Sequence, residues 1–303
     1  MRLCFKHTIL ACLITCASFS QSKLNTFLKP SDTLNKSRRN AVAITEASVA
    51  TLTLVGLNQL WYADYPNSKF HTLNDNSEWL QMDKLGHVFS AYQLGRIGAN
   101  TLKWSGVSKK DQLIFGSSIG FAFLTVVEVF DGFSEEWGFS WGDMAANAAG
   151  AGLYVGQELL WDEQRFTVKY SFHRTDYAQL NPDKLGNGFS EEFLKDYNGQ
   201  TYWLSFNIHS FFKDTKIPTW LNVAFGYGAE GMVSGTNNNG NEAITYQNPY
   251  RQYYLSLDVD LTRIKTNSHV LKTVFDVLNV IKVPFPALEF TDKNGIKFHG
   301  IYF

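Results

Sequence analysis

Long apolar stretches, broken by single polar residues at helical spacing, fill the chain up to Trp161; beyond that point apolar and polar positions alternate. The first stretch runs from Ala41 to Trp61 with Glu46 as its one charge. Tyr62 to Asn76 is polar and aromatic and reads as a loop. An amphipathic helix is then predicted from Ser77 to about Lys103, carrying Asp83, Lys84, His87 and Arg96. Ser108-x-x-Asp111 opens a third helix, which reaches Phe130 with no charge between Asp111 and Glu128. That helix is about long enough to span a bilayer. Ser140-x-x-Asp143 opens a fourth, ending at Trp161 and dense in Ala and Gly, whose Gly152 and Gly156 form a small-xxx-small pair expected to let helix backbones approach closely.

The alternating part predicts antiparallel strands at Phe166–Phe172, Tyr202–Ile208, Leu221–Tyr227, Tyr253–Leu261 and Ile296–Phe303, with Asn-Gly and Asn-rich turns between them. A short helix, about Ser268 to Val280, interrupts the series. The fold class expected is therefore α+β: an N-terminal apolar helical bundle of about four helices over residues 40–162, then an antiparallel β-rich C-terminal region over 163–303. The terminal aromatic strand invites an outer-membrane barrel reading, but about five strands fall short of the eight that the smallest membrane barrels need.

The first residues change the picture of where the chain resides. Arg2 and Lys6, an apolar run from Ile9 to Phe19, and small residues at Ser18 and Ser20 make residues 1–20 a signal peptide. Residues 21–39 are polar and read as a flexible lead-in. Cys4, Cys12 and Cys16 all lie in the leader, so cleavage after Ser20 leaves a mature chain without thiols, excluding disulfides, thiolate metal sites and cysteine nucleophiles. Leu13-Ile14-Thr15-Cys16 also has a loose likeness to a lipoprotein processing site, in which Cys16 becomes the lipidated N-terminus. Losing Arg2 and Lys6 takes the formal charge from −1 to −3, which excludes nucleic acid as a partner. With 45% hydrophobic and 18% charged residues, the composition points to partial membrane contact, with membrane lipid as a partner.

The candidate chemistry sits in the apolar helices. Asp83 and His87 are four apart, Glu128 and Asp131 three, Asp143 and Asn147 four, so each pair occupies one helix face and packing could bring the pairs together. Buried ionisable groups must pair, bind an ion or face water. A convergent His87 with Glu128, Asp131 and Asp143 would suit a divalent metal, and His87 alone a general acid or base. The competing reading is structural: Asp143 serves as the third residue of a capping box with Ser140, Asp131-Gly132 ends a helix, and His87 is a hydrogen-bonded core residue. Lys84 either neutralises Glu128 or Asp131 or extends to solvent. Trp137 and Trp141 read as an interfacial belt or a lid, and Lys195 to Trp203 as the entry to a hairpin.

Asp83-Lys84-Leu-Gly86-His87, Glu128 with Asp131-Gly132, and Ser140-Trp-Gly-Asp143-x-x-x-Asn147-x-x-Gly150 resemble the YfiM-like family of predicted periplasmic lipoproteins, a domain of unknown function, over about residues 40–160. The order of these residues is also similar to that in the more distant VanZ-like membrane family, although the Gln and Arg of that pattern are replaced here by the Asp131 to Ser140 loop. The resemblance implies a Gram-negative envelope location, on the periplasmic side of the inner or outer membrane, and no particular reaction. Two functions follow as expectations. The first is a non-enzymatic, membrane-associated envelope protein whose polar cluster holds the helices in register and whose β region binds an envelope partner or packs on the membrane face. The alternative is a membrane-embedded enzyme acting on a lipid-linked or cell-wall substrate through His87 and the carboxylates.

Overall fold

The molecule, a computed structural model, describes residues 22–62, 65–235 and 248–303. The signal peptide and its three cysteines lie outside the described residues. Asn35 caps the first long helix, α1 (Lys36–Leu57), by accepting from the Arg38 amide at 3.0 Å. Helix α2 is Met82–Trp104. Helix α3, Lys109–Gly132, starts where Ser108 accepts from the Asp111 amide and contains one π turn at Gln112–Gly116. Helix α4 is Trp141–Trp161, capped by Ser140. A shorter helix α5, Phe189–Lys195, precedes the second strand, and α6, His269–Leu278, follows the fourth.

The strands are β1 Phe166–Phe172, β2 Gln200–Asn207, β3 Leu221–Glu230, β4 Tyr250–Val259, β5 Phe285–Thr291 and β6 Gly295–Tyr302. They form one antiparallel sheet in sequence order, so the chain is α+β as expected. β5 was not anticipated: Pro284 and Pro286 hide its alternation, and proline is tolerated where a strand begins. The lead-in is more ordered than its polar composition implies. Residues 22–28 are helical, the Phe27 carbonyl accepts from the Trp104 indole at 2.8 Å, and Asn25 accepts from the first amides of α6.

Helix α2 is the centre of the bundle, and its neighbours touch it backbone to backbone. A side chain at Gly120 would run into the Ala91 carbonyl, one at Gly98 into the Gly116 carbonyl, and one at Gly150 into the Val88 carbonyl. Gly152 and Gly156, expected to be the close-approach pair, have open space around them. Gly150 makes the contact instead, because it is the glycine of α4 that faces α2. On its other side α2 packs Phe89 against Tyr170 and Tyr202 of the sheet. Arg96 reaches Asp276 of α6 and the carbonyl of the same residue.

The seam predicts a sharp contrast. Gly120→Val and Gly150→Val should each cost about 3 kcal/mol or abolish folded yield, since neither backbone can retreat. Gly156→Ala should be neutral or stabilising by about 0.5–1 kcal/mol. Thermal melts of the detergent-purified variants check both; equal melting of Gly150→Val and Gly156→Ala would refute the seam.

Candidate functional site

Close packing around α2 gathers polar residues from three helices at one end of the bundle. Asp83 and His87 come from the first turns of α2, Glu128 and Asp131 from the last turn of α3, and Asp143 and Asn147 from the start of α4. His87 Nδ1 lies 3.0 Å from Asn147 Oδ1. An amide oxygen only accepts, so Nδ1 carries the proton in that bond and Nε2 faces the other way.

Nε2 faces carboxylates: Glu128 Oε1 and Asp143 Oδ1 at 3.6 Å each, and Asp83 Oδ1 at 3.8 Å. None is close enough for a hydrogen bond. One ligand atom each from Asp83, His87 and Asp143 lie within 4.8 Å of one another, a spacing that could hold a metal ion. Glu128 is only 1% exposed, and its Oε1 has no hydrogen-bond partner; Asp143 Oδ1 and Asn147 Nδ2 are likewise buried without one. Lys84 Nζ stands 2.8 Å from Asp143 Oδ1, a charge contact without hydrogen-bond alignment at that oxygen.

Ser140 explains why Asp143 is available. Its hydroxyl caps α4 by accepting from the Asp143 amide at 3.1 Å and donates to Asp75 at 2.6 Å, while its own amide donates to Glu128 Oε2 at 3.1 Å. In a capping box the Asp143 carboxylate would take that amide. Glu128 takes it instead, and Asp143 turns toward His87. Lys84 neither reaches solvent nor pairs with Glu128 or Asp131: it bridges Asp75, Asp83 and Asp143 at 2.8, 3.1 and 2.8 Å. Asp131 stands outside the ring around Nε2 and accepts from the Tyr62 hydroxyl at 2.6 Å. The ligand set read from the sequence therefore exchanges Asp131 for Asp83.

The charges set the protonation states. Burial opposes the charged form of Asp83, yet His87 and Lys84 hold its carboxyl below the usual range. Asp75 is likewise lowered against burial by Lys84 and Ser140. His87 is raised above its ordinary value: burial opposes this, and Asp83, Asp143 and Glu128 outweigh it. Asp143, buried and facing Asp83, is pushed up to about 7.

The cluster forms the wall of an open cavity of about 480 Å³. Its mouth is aromatic. Trp137 packs edge-on against Tyr62 and Tyr65, and Trp79 against Tyr197. Trp79, Leu80 and Gln81 all have positive φ, at 48°, 49° and 66°. This costly left-handed run is held by the Trp79 backbone amide donating to the Gly235 carbonyl, the Tyr227 hydroxyl donating to the Leu80 carbonyl and the Gln81 side-chain Nε2 donating to the Asn76 carbonyl. Trp141, by contrast, is 70% exposed.

Three partners escaped the sequence reading. Asp75 sits in a stretch read as loop, and Tyr62 opens that same stretch. Tyr197, read as hairpin entry, donates to Asp83 Oδ1 at 2.8 Å and joins the β region to the site. Only the aromatic density around them signalled anything.

Fold and site together define a four-helix bundle with a histidine–carboxylate cleft at one end, backed by a curled antiparallel sheet. Residues 72–157, which hold every cluster residue named above except Tyr62 and Tyr197, match the family described as "Predicted periplasmic lipoprotein (DUF2279)". No curated protein and no solved structure matches the chain.

Lys84 is the electrostatic keystone of the loops. Lys84→Met should leave Asp75, Asp83 and Asp143 without their shared cation and destabilise the fold by about 3 kcal/mol, whereas Tyr197→Phe should cost about 1 kcal/mol. Chemical denaturation at neutral pH measures both, and a Lys84→Met variant as stable as Tyr197→Phe would contradict the assignment.

Proposed function

We propose that this chain is an exported envelope protein, associated with the membrane through its exposed apolar helices, whose cleft binds a divalent cation and acts on an anionic lipid-linked or cell-wall ligand. One observation carries the reading: an imidazole nitrogen, its tautomer fixed by Asn147, faces three carboxylate oxygens at 3.6–3.8 Å with no hydrogen bond to any of them. Ligands on a tetrahedral ion at about 2.1 Å stand roughly 3.4 Å apart, so the spacing suits donors around one small cation. A mixed nitrogen and carboxylate set favours zinc or manganese over calcium.

A network that only held the helices in register would satisfy its own members, because an unpaired buried polar atom costs about 1–3 kcal/mol. Glu128 Oε1 and Asn147 Nδ2 are left unsatisfied, which favours the ligand-binding alternative. A bound cation would polarise a phosphoryl or acyl oxygen of the ligand, and Asp131 with Tyr62 lines the same cavity where a proton could be exchanged. The envelope location is supported by the family description of residues 72–157. The likeness to YfiM-like lipoproteins and to the order of residues in VanZ-like proteins agrees with it.

Equilibrium dialysis of the purified protein against Zn²⁺ or Mn²⁺, followed by elemental analysis, tests the proposal. One ion per chain is expected, with at least tenfold weaker binding in Glu128→Gln and loss in His87→Ala, both folded by circular dichroism. Because protons must leave His87, Asp143 and Glu128 before the ion binds, and burial pushes the two carboxyls up to about 7 and about 8, affinity should rise from about pH 6 to about pH 9. Metal-free protein at saturating ion, or unchanged affinity in Glu128→Gln, would reject the site.

A further inference from the structure

The β region is built inside out. Pairing of Lys169 with Trp203, Trp203 with Gly226, and Gly226 with Tyr254 puts these residues on one face of the sheet. That face curls around a polar interior. Lys169 and Asp258, 2.7 Å apart and both with fully buried side chains, lie there, together with the Ser205 hydroxyl bonded to Asp258 and the Trp203 indole bonded to Ser171. The opposite face is apolar. In β1 and β2 it is covered by α2 through Phe89, and the Tyr227–Ala229 end of β3 packs against Leu80 and Met82, while Phe225 and the outward residues of β4 to β6 stay largely exposed. Phe225, Tyr253, Leu257 and Phe298 are 53%, 51%, 43% and 67% exposed. A water-soluble sheet with one bare face turns its polar side outward; this one does the reverse.

We infer that the outward face of β3 to β6 lies against the hydrocarbon of the membrane, continuing a lipid-facing belt begun by α1 and α3. The occupant is lipid because the helices and the sheet both present long apolar faces whose ends are marked. α1 is apolar along most of its length and buries Val42 alone among its described residues, so no protein core covers it. α6 likewise exposes Leu271, Val274 and Val277. The outward register of β3 and β4 between Leu221 and Tyr227, and between Tyr253 and Val259, contains no charged side chain. Six strand steps span about 20 Å, close to the apolar band of membrane strands.

The rims are polar and aromatic. At the far rim Arg38 lies over the Trp104 ring at 4.4 Å, with Trp220 at the start of β3. At the other rim α1 and α3 end on the cleft, the Tyr227 hydroxyl at the end of β3 holds Leu80, and Arg251 bonds Gln81. Tryptophan, tyrosine and arginine collect where hydrocarbon meets water. The His87 cleft therefore opens at the level of the lipid headgroups, and the ligand class it meets is an anionic headgroup still attached to its lipid. The inference rests on the membrane association proposed above and is independent of the cation.

Site-directed spin labelling tests it, because the exported chain carries no free thiol whether it is cleaved after Ser20 or lipidated at Cys16. Phe225→Cys, Leu257→Cys, Phe298→Cys, Leu52→Cys and Asp292→Cys are labelled with a nitroxide in the full exported chain. Each is reconstituted into phosphatidylcholine vesicles containing phosphatidylglycerol. At the three sheet positions and at Leu52, dissolved oxygen should relax the nitroxide several-fold more than a water-soluble nickel chelate, with the order reversed at Asp292 in the β5–β6 turn. Nickel dominating at the sheet positions but not at Leu52 would overturn the sheet inference alone. Nickel dominating at Leu52 as well would overturn membrane association too.

Discussion

The backbone contact of α2 with its two neighbours fixes everything else in the molecule. Ala91, Gly98 and Gly150 let carbonyls and Cα atoms meet where ordinary helices keep side chains between them. That removes the two or so ångströms per helix that a leucine seam would add. Without the contact, Glu128 of α3 and Asp143 of α4 would stand too far from His87 to face its Nε2. The glycines are thus a precondition of the site, although none of them takes part in its chemistry.

Once the helices are that close, the electrostatics follow from what is buried. Asp75, Asp83, Glu128 and Asp143 surround one lysine and one histidine, an excess of negative charge in a partly dry setting. Protons can relieve it, which is why Asp143 is raised and His87 holds its proton more tightly. A divalent cation relieves it more completely, because it meets several oxygens at once and needs no hydrogen-bond alignment. Lys84 is fully engaged by Asp75, Asp83 and Asp143, so it does not meet the demand of Glu128.

Much of this was readable in the sequence, for physical reasons that also mark where reading stops. Helix starts at Ser108 and Ser140 follow from hydroxyl caps that work within four residues, and the strands from Phe166 to Val259 follow from alternation with one buried face. The convergence of His87, Glu128 and Asp143 followed from their positions on helix faces. The partners of Lys84 did not, because Asp75 lies in a loop whose path depends on the strained run at Trp79 to Gln81. Gly152 and Gly156 are not the close-contact glycines, because spacing within one helix does not say which face meets a neighbour. The exchange of Asp131 for Asp83 has the same origin: Tyr62, which engages Asp131, comes from a segment without periodicity.

The sheet shows a different limit. Alternation tells which residues share a face but is silent about which face is wet, since a soluble sandwich and a membrane-facing sheet give the same period. What breaks the symmetry is the interior: the charges of Lys169 and Asp258, and the polar pair of Glu289 with His299, are groups that a sheet facing water would have left outside. Burying them is unfavourable unless exposing the other face to water would be worse. That condition holds when the other face is Phe225, Leu257 and Phe298 and the surroundings are hydrocarbon. The polar interior and the apolar exterior are therefore one feature.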